Sequence, residues 1–304
     1  MRLKLAFKIF FIAVILWGTQ KVYPAGTVAG DFLLVSIQAR ETALAGIYGP
    51  CYARPGAATA NPAALSGIKK THIMFSHYES VFNSRYEQLI YAVPMGGGNA
   101  AGSYFMYSSN DEIYRTDQEG YAIEKVDNYD ITLAGIYSMK ITPDINAGIN
   151  LKLFSSKAYK KTRWGIASNI GALYRNFESR YMMGFSAENL GLSSVFFEEE
   201  SFLPVVLRFG YAAEVYRYVE EYRIMILLEE RIYIAEDESP ETSLAMEAYY
   251  RDFFVFRYGY IFGRDEGRVG IGAGVMFDNF NIDYAYQPFF LSDNVHRFTF
   301  EVTF

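Results

Sequence analysis

The sequence predicts an all-β protein, a transmembrane antiparallel β-barrel of about 14 strands with a small N-terminal hatch or plug inside its lumen. Three observations predict it. Of the 304 residues 51% are hydrophobic and 17% aromatic, with 26 Tyr and 25 Phe against 20% charged residues. That is more aromatic surface than a water-enclosed core uses, and it suits a wall that meets lipid and carries aromatic girdles at the headgroup level. From about residue 71 onward, segments of roughly ten residues alternate in polarity, the pattern of strands with one face in lipid and one in a lumen. Ahead of them lie an export-type leader and a stretch with no alternation at all.

The leader comes first. Arg2, Lys4 and Lys8 precede an apolar run from Ile9 to Trp17, and small residues follow near Ala25. This is the layout of a signal peptide with its basic end, apolar centre and cleavage site, so residues 1–25 are expected to be removed on export. The apolar run is about half of the roughly 20 residues a spanning helix needs. No later run is as long, so a membrane-spanning structure in the remaining chain has to be a closed barrel, in which every backbone polar group is paired.

Residues 26–69 are rich in Ala, Gly and Pro and include short helix-compatible pieces such as Gln38 to Ala45. Without alternation this segment cannot build barrel wall, and its apolar content argues for a compact plug over a disordered linker. Within it, Asn61-Pro62-Ala63 reads as a helix start, because Asn caps well and Pro is favoured at the first helical position.

Residues 70–304 form the expected barrel. Phe280, Ile282, Tyr284 and Tyr286 alternate with Asn281, Asp283, Ala285 and Gln287. Val269, Ile271, Ala273, Val275 and Phe277 alternate with Gly270, Gly272 and Gly274, and Ala147, Ile149, Leu151 and Leu153 with Asn146, Gly148, Asn150 and Lys152. Trp164, Ile166, Ile170 and Tyr174 alternate with Gly165, Asn169, Gly171 and Arg175. Strand starts are expected near residues 71, 84, 97, 128, 144, 162, 180, 204, 220, 242, 253, 267, 279 and 294. The joins sort by parity. PMGGG, TPD, NFES, YRYVEE, YRDF and DNF are short and would face the periplasm. The acidic stretch 110–127, SSKAYKKT, LSSVFFEEESF, AEDESPET, GRDEG and LSDN are mostly longer and charged, and would face outward. In the last segment Phe298, Phe300, Val302 and Phe304 share the face opposite Arg297, Thr299, Glu301 and Thr303.

The same reading sets aside other classes. A net charge of −6 and a pI near 5.3 offer no basic stripe for nucleic acid. Cys51 is the single cysteine, and His72, His77 and His296 stand at no metal-ligand spacing, so neither a disulfide framework nor a metal or other cofactor is expected. No nucleophile triad, phosphate-cradling loop or His-Glu-x-x-His run is present, and the protein is not expected to be an enzyme. Glu198, Glu199 and Glu200 read as a solvated outer loop. Of Glu229 and Glu230, which alternate on one strand, one should face the lumen. The glycine-rich Met95 to Gly102 segment reads as a hairpin turn.

Several patches resemble the FadL-like outer-membrane transport barrels, and within them the PorV/PorQ-like branch. They are SIQARETALAGIYG with ATANPAALSGI, SAENLG at Ser186 to Gly191, LPVVLRFGYA at Leu203 to Ala212, FRYGYIFG at Phe256 to Gly263, and FNIDYAYQPFFLSDNVHRFTFEVTF at the end. Where that family's hatch has an Ala-Leu-Gly-Gly-Ala-type run, this chain has Ala43, Leu44, Ala45, Gly46 and Ile47. The resemblance implies a hatch whose Asn61, Pro62, Ala63 and Leu65 block or gate the lumen, with Phe32, Leu33, Leu44 and Ile47 as walls of a ligand pocket. It further implies an outer-membrane location with lipid as neighbour, and passive uptake of a hydrophobic small molecule of the long-chain fatty-acid type. Phe298, Phe300, Val302 and Phe304 resemble the ending that barrel-assembly machinery reads during insertion. A second role drawn from the same branch is a scaffold that partners a secretion-system protein.

Overall fold

The computed structural model describes residues 30–80, 84–110, 114–194, 203–219, 221–234, 239–291 and 293–304; the leader and Glu198 to Glu200 lie outside them. Among the described residues the strands run β1 His72–Glu79, β2 Ser84–Gly96, β3 Asn99–Asn110, β4 Tyr114–Thr116, β5 Ala122–Lys125, β6 Asn128–Lys140, β7 Ile145–Ala158 and β8 Lys161–Asn176. They continue with β9 Tyr181–Ser193, β10 Val206–Tyr218, β11 Tyr222–Tyr233, β12 Glu241–Tyr250, β13 Phe254–Phe262, β14 Val269–Phe277, β15 Phe280–Gln287 and β16 Val295–Thr303. Fourteen of these close into one barrel of antiparallel neighbours, sealed where β1 pairs with β16, His72 opposite Thr303 and Glu79 opposite His296. Closure leaves no strand edge to compete for partners in lipid.

The barrel is inside out relative to a water-soluble protein. Leu133, Leu151, Leu153, Trp164, Ile282, Phe298 and Phe300 project outward and are exposed. Their neighbours along the strands, Thr132, Asn150, Lys152, Arg163, Thr299 and Glu301, are buried on the inner face. An apolar exterior around a polar interior is stable only if lipid covers the outside, so the wall spans a membrane.

The two-residue period explains why the strand starts match the expected ones so closely, since the lipid-facing pattern is continuous along each strand. Two joins differ. SSKAYKKT is no loop: β7 and β8 continue through it to a two-residue turn at Tyr159 and Lys160, with Tyr159 at φ 55°. The acidic 110–127 stretch contains the small separate hairpin β4–β5. The six short joins all lie at one end, and that between β2 and β3 needs its glycines, Gly96, Gly97 and Gly98 all having positive φ.

The preceding segment, from Gly30, lies within the barrel. Its helical pieces are short: a 3-10 turn Asp31–Leu34, α1 Ala39–Ala43, and 3-10 turns Ala57–Thr59 and Pro62–Leu65. Asn61 caps the last as its sequence suggests, its side-chain oxygen accepting from the Ala63 N–H at 3.2 Å with Pro62 at the first position.

Candidate functional site: the occluded lumen

Two features of the wall position the N-terminal segment. The first is glycine. A Cβ added to Gly184 would stand 1.9 Å from the Gly49 oxygen, at Gly171 2.0 Å from Asn61 Oδ1, at Gly270 2.3 Å from the Thr42 oxygen, and at Gly148 2.5 Å from the Pro62 carbonyl carbon. The plug, mostly through its backbone and at Gly171 through the Asn61 side chain, thus lies directly against backbone of the wall, which only residues without a side chain permit.

The second is a set of buried ion pairs that tie the plug to the inner face. Arg40 of α1 makes a two-pronged contact with Glu247 on β12, Nε to Oε1 at 3.0 Å and Nη2 to Oε2 at 2.8 Å. Glu247 also accepts from Arg257 Nε at 2.9 Å, and Arg257 reaches Asp283. The chain from Ala45 to Gly49 is held through its backbone by side chains of β10 to β12. Arg208 Nη1 and Arg231 Nη2 donate to the Gly46 oxygen at 3.0 and 2.9 Å, and Ser243 Oγ to that of Ala45 at 2.8 Å. Glu229 Oε2 accepts from the N–H groups of Tyr48 and Gly49 at 3.1 and 2.5 Å, while its Oε1 accepts from Arg208 at 2.8 Å. Of the adjacent glutamates, then, Glu229 faces the lumen and Glu230 the outside, where it accepts from Thr242. Ala45 at φ 56° and Gly46 at φ 73° make the turn that offers these carbonyls. Such pairs add little net stability, but removing one partner strands a buried charge at a cost of about 3–5 kcal/mol.

Burial also sets the chemistry of the plug's own groups. It raises the Glu41 carboxyl above the usual carboxylate range, against the opposing pull of Arg40. The Cys51 thiol, which accepts from Arg40 at 3.5 Å, is pushed up to about 11 by burial.

Asn61, Pro62, Ala63 and Leu65 sit together against the β3, β6, β7 and β8 wall, all buried. Asn61 Nδ2 donates to the Gly49 oxygen at 2.7 Å, and Ser138 Oγ to the Ala63 oxygen at 3.3 Å. Phe32 meets the Phe154 ring edge-on at 5.8 Å. Leu33 lines a cavity of about 40 Å³ with Val35, Gln38, Gln88, Met106 and Lys152. Leu44 and Ile47 lie elsewhere, in an apolar cluster with Ala212, Leu227 and Ala245. The ion-pair latch escaped the sequence reading. Its signal was present: Arg208 and Arg257 each stand between two apolar residues in a strand, and in a lipid-facing barrel that parity turns a charge inward.

Lys152 is a buried cation whose direct hydrogen-bond partner is neutral. Its ammonium donates to Asn189 Oδ1 at 2.7 Å, while Glu188, which lines the same cavity, is engaged by Arg208. Nearby Thr132 Oγ1 and Asn150 Oδ1 are buried without a protein partner.

Fold and lumen define an outer-membrane-type barrel of 14 strands occluded by its own N-terminal segment. Solved structures share that architecture: the toluene transporter TodX of P. putida has a TM-score of 0.60 at 12% identity over 88% of this chain and 98% of that one. The CymD monoaromatic hydrocarbon channel gives 0.62 at 12% over 89% and 98%, and a Pseudomonas aeruginosa FadL homologue 0.57 at 12% over 92% and 99%. The fold is therefore that of the FadL-type barrels. No family model and no curated protein sequence matches the chain.

Proposed function

We propose that the protein admits hydrophobic small molecules with an acidic end, of the long-chain fatty-acid type, through the outer membrane without an energy source. The observation behind this reading is the cavity beside Leu33, Val35 and Met106, where the buried Lys152 amine donates to a neutral partner, Asn189. A ligand carboxylate would supply the missing acceptor, and the apolar side chains would take the start of its tail. At about 40 Å³ the cavity holds water or a headgroup and no tail, so binding requires the strip Asp31–Leu34 to shift. The neighbours TodX and CymD are described as a toluene transporter and a monoaromatic hydrocarbon channel, which supports a hydrophobic cargo.

Liposomes carrying the full-length protein should take up labelled oleate faster than protein-free liposomes. Lys152→Met should weaken oleate binding roughly tenfold, the worth of one charge-assisted hydrogen bond, and leave binding of the neutral alcohol of equal length unchanged. Uptake equal to that by a variant lacking residues 31–68, with oleate bound by neither, would overturn the proposal.

A further inference from the structure

The outward face of the barrel is not uniform around its circumference. β6 to β9 are 13, 14, 16 and 13 residues long, and β7 shows lipid an unbroken aliphatic stripe of Ile149, Leu151 and Leu153. At the closing seam β13 to β16 and β1 have only 9, 9, 8, 9 and 8 residues, and β2, 13 residues long, outruns β1 mainly at the short-turn end, past the His72–Ala92 pair. The apolar stripe ends early there. Along β1 the outward residues are Ile73 and Phe75, then His77 and Glu79; along β2 the outward Tyr91 and Leu89 give way to Glu87 and Arg85.

These groups form a polar ladder on the outer surface. His77 Nδ1 lies 2.8 Å from Glu87, and Arg85 lies 3.9 Å from Glu79, which faces His296 across the seam. His296 Nδ1 in turn lies 2.8 Å from the Tyr284 hydroxyl, with the Tyr286 ring at 5.5 Å. Two of the chain's three histidines therefore point away from the lumen.

Their height decides the matter. Thr71 pairs with Phe304 at the short-turn end, level with an aromatic ring that includes Phe280. At about 3.3 Å per residue and a tilt near 40°, His77 stands about 15 Å above that level and Glu79 about 20 Å. The apolar band of such a barrel is about 25 Å tall, and a charged side chain facing lipid within it is destabilising. Short strands, a polar ladder and Tyr and His side chains at the same height all point to one answer.

We propose that the bilayer is locally thin beside the β15–β16–β1–β2 seam, where outer-leaflet headgroups and their water descend onto His77, Glu79, Arg85, Glu87 and His296. Lipid headgroups are the partner of this surface. The mixed signs of the ladder suit zwitterionic or cation-bridged groups more than a bare anion.

Nitroxide labels on single introduced cysteines in dioleoylphosphatidylcholine vesicles test this, with the unsubstituted protein, whose Cys51 is buried, as the blank. Heat-shifted gel migration establishes that each variant has folded. Labels at His77→Cys and Glu79→Cys should be relaxed by a water-soluble nickel chelate several-fold more than a label at Leu151→Cys, and by oxygen several-fold less. Phe75→Cys, one outward position lower, should fall between and serves if the His77 variant misfolds. Oxygen access at both seam positions equal to that at Leu151 would place them in hydrocarbon and overturn the proposal. Protection from both relaxants would do so too, by showing that a second copy or another protein covers the seam.

Discussion

Single residues carry the occlusion. The plug is seated by contacts that a methyl group would prevent, the closest being Gly184 against the Gly49 oxygen. Gly184→Val should lift Ala45 to Gly49 off Glu229 and loosen the plug, with overpacking of about 1–3 kcal/mol shared between plug and wall. Cys51 offers the readout. Buried and with its thiol pushed up to about 11, it should resist maleimide at pH 7 in the native protein. In the Gly184 variant it should react at least tenfold faster; unchanged labelling in a folded Gly184→Val protein would show that the glycine contact does not hold the plug. Sequence makes such glycines visible as inward members of alternating strands, as at Gly270, Gly272 and Gly274. It does not say what approaches them. Arg40 meets Glu247 across 207 residues of chain, a pairing set by barrel closure and plug placement together and by no local pattern.

Strands were far easier to read. A lipid-facing wall repeats every two residues over its whole length, so β7 and β15 declare both their faces, whereas the turn at Tyr159 and Lys160 looked like a loop because its polar flanks continue as strand above the membrane. The plug was harder, since short helical turns such as Pro62–Leu65 have too few residues for a period to show and owe their shape to the wall around them. β16 shows what one outward position is worth. Phe300 is exposed to lipid, opposite Phe75 and stacked on Phe280 at 6.0 Å. Phe300→Lys should destabilise the barrel by about 2 kcal/mol through the cost of a cation on the lipid face. Urea titration of the refolded protein in vesicles measures it, and a midpoint within error of wild type would mean that this face is not in lipid.

The molecule as a whole is a polar tube filled by its own chain. With the plug seated, planar bilayers should show no steady ion current, whereas a variant lacking residues 31–68 should conduct, its lumen lined by Arg208, Glu229, Arg231, Glu247 and Arg257. Equal conductance in both would place the barrier elsewhere. Architecture was legible from the sequence because lipid imposes it along every strand; cargo chemistry was not, because it depends on where Lys152 stands relative to Glu188 and Asn189, three positions on two strands. The seam adds a constraint in time. His72 and Thr303 are almost the full length of the barrel apart in the chain, so their pairing closes the longest loop of any strand pair and carries the largest closure entropy. The plug, which precedes β1, interlocks with glycines on strands all around the wall. Threading a folded tube afterwards would mean forcing backbone past backbone. The plug therefore has to be in place by the time the wall closes around it.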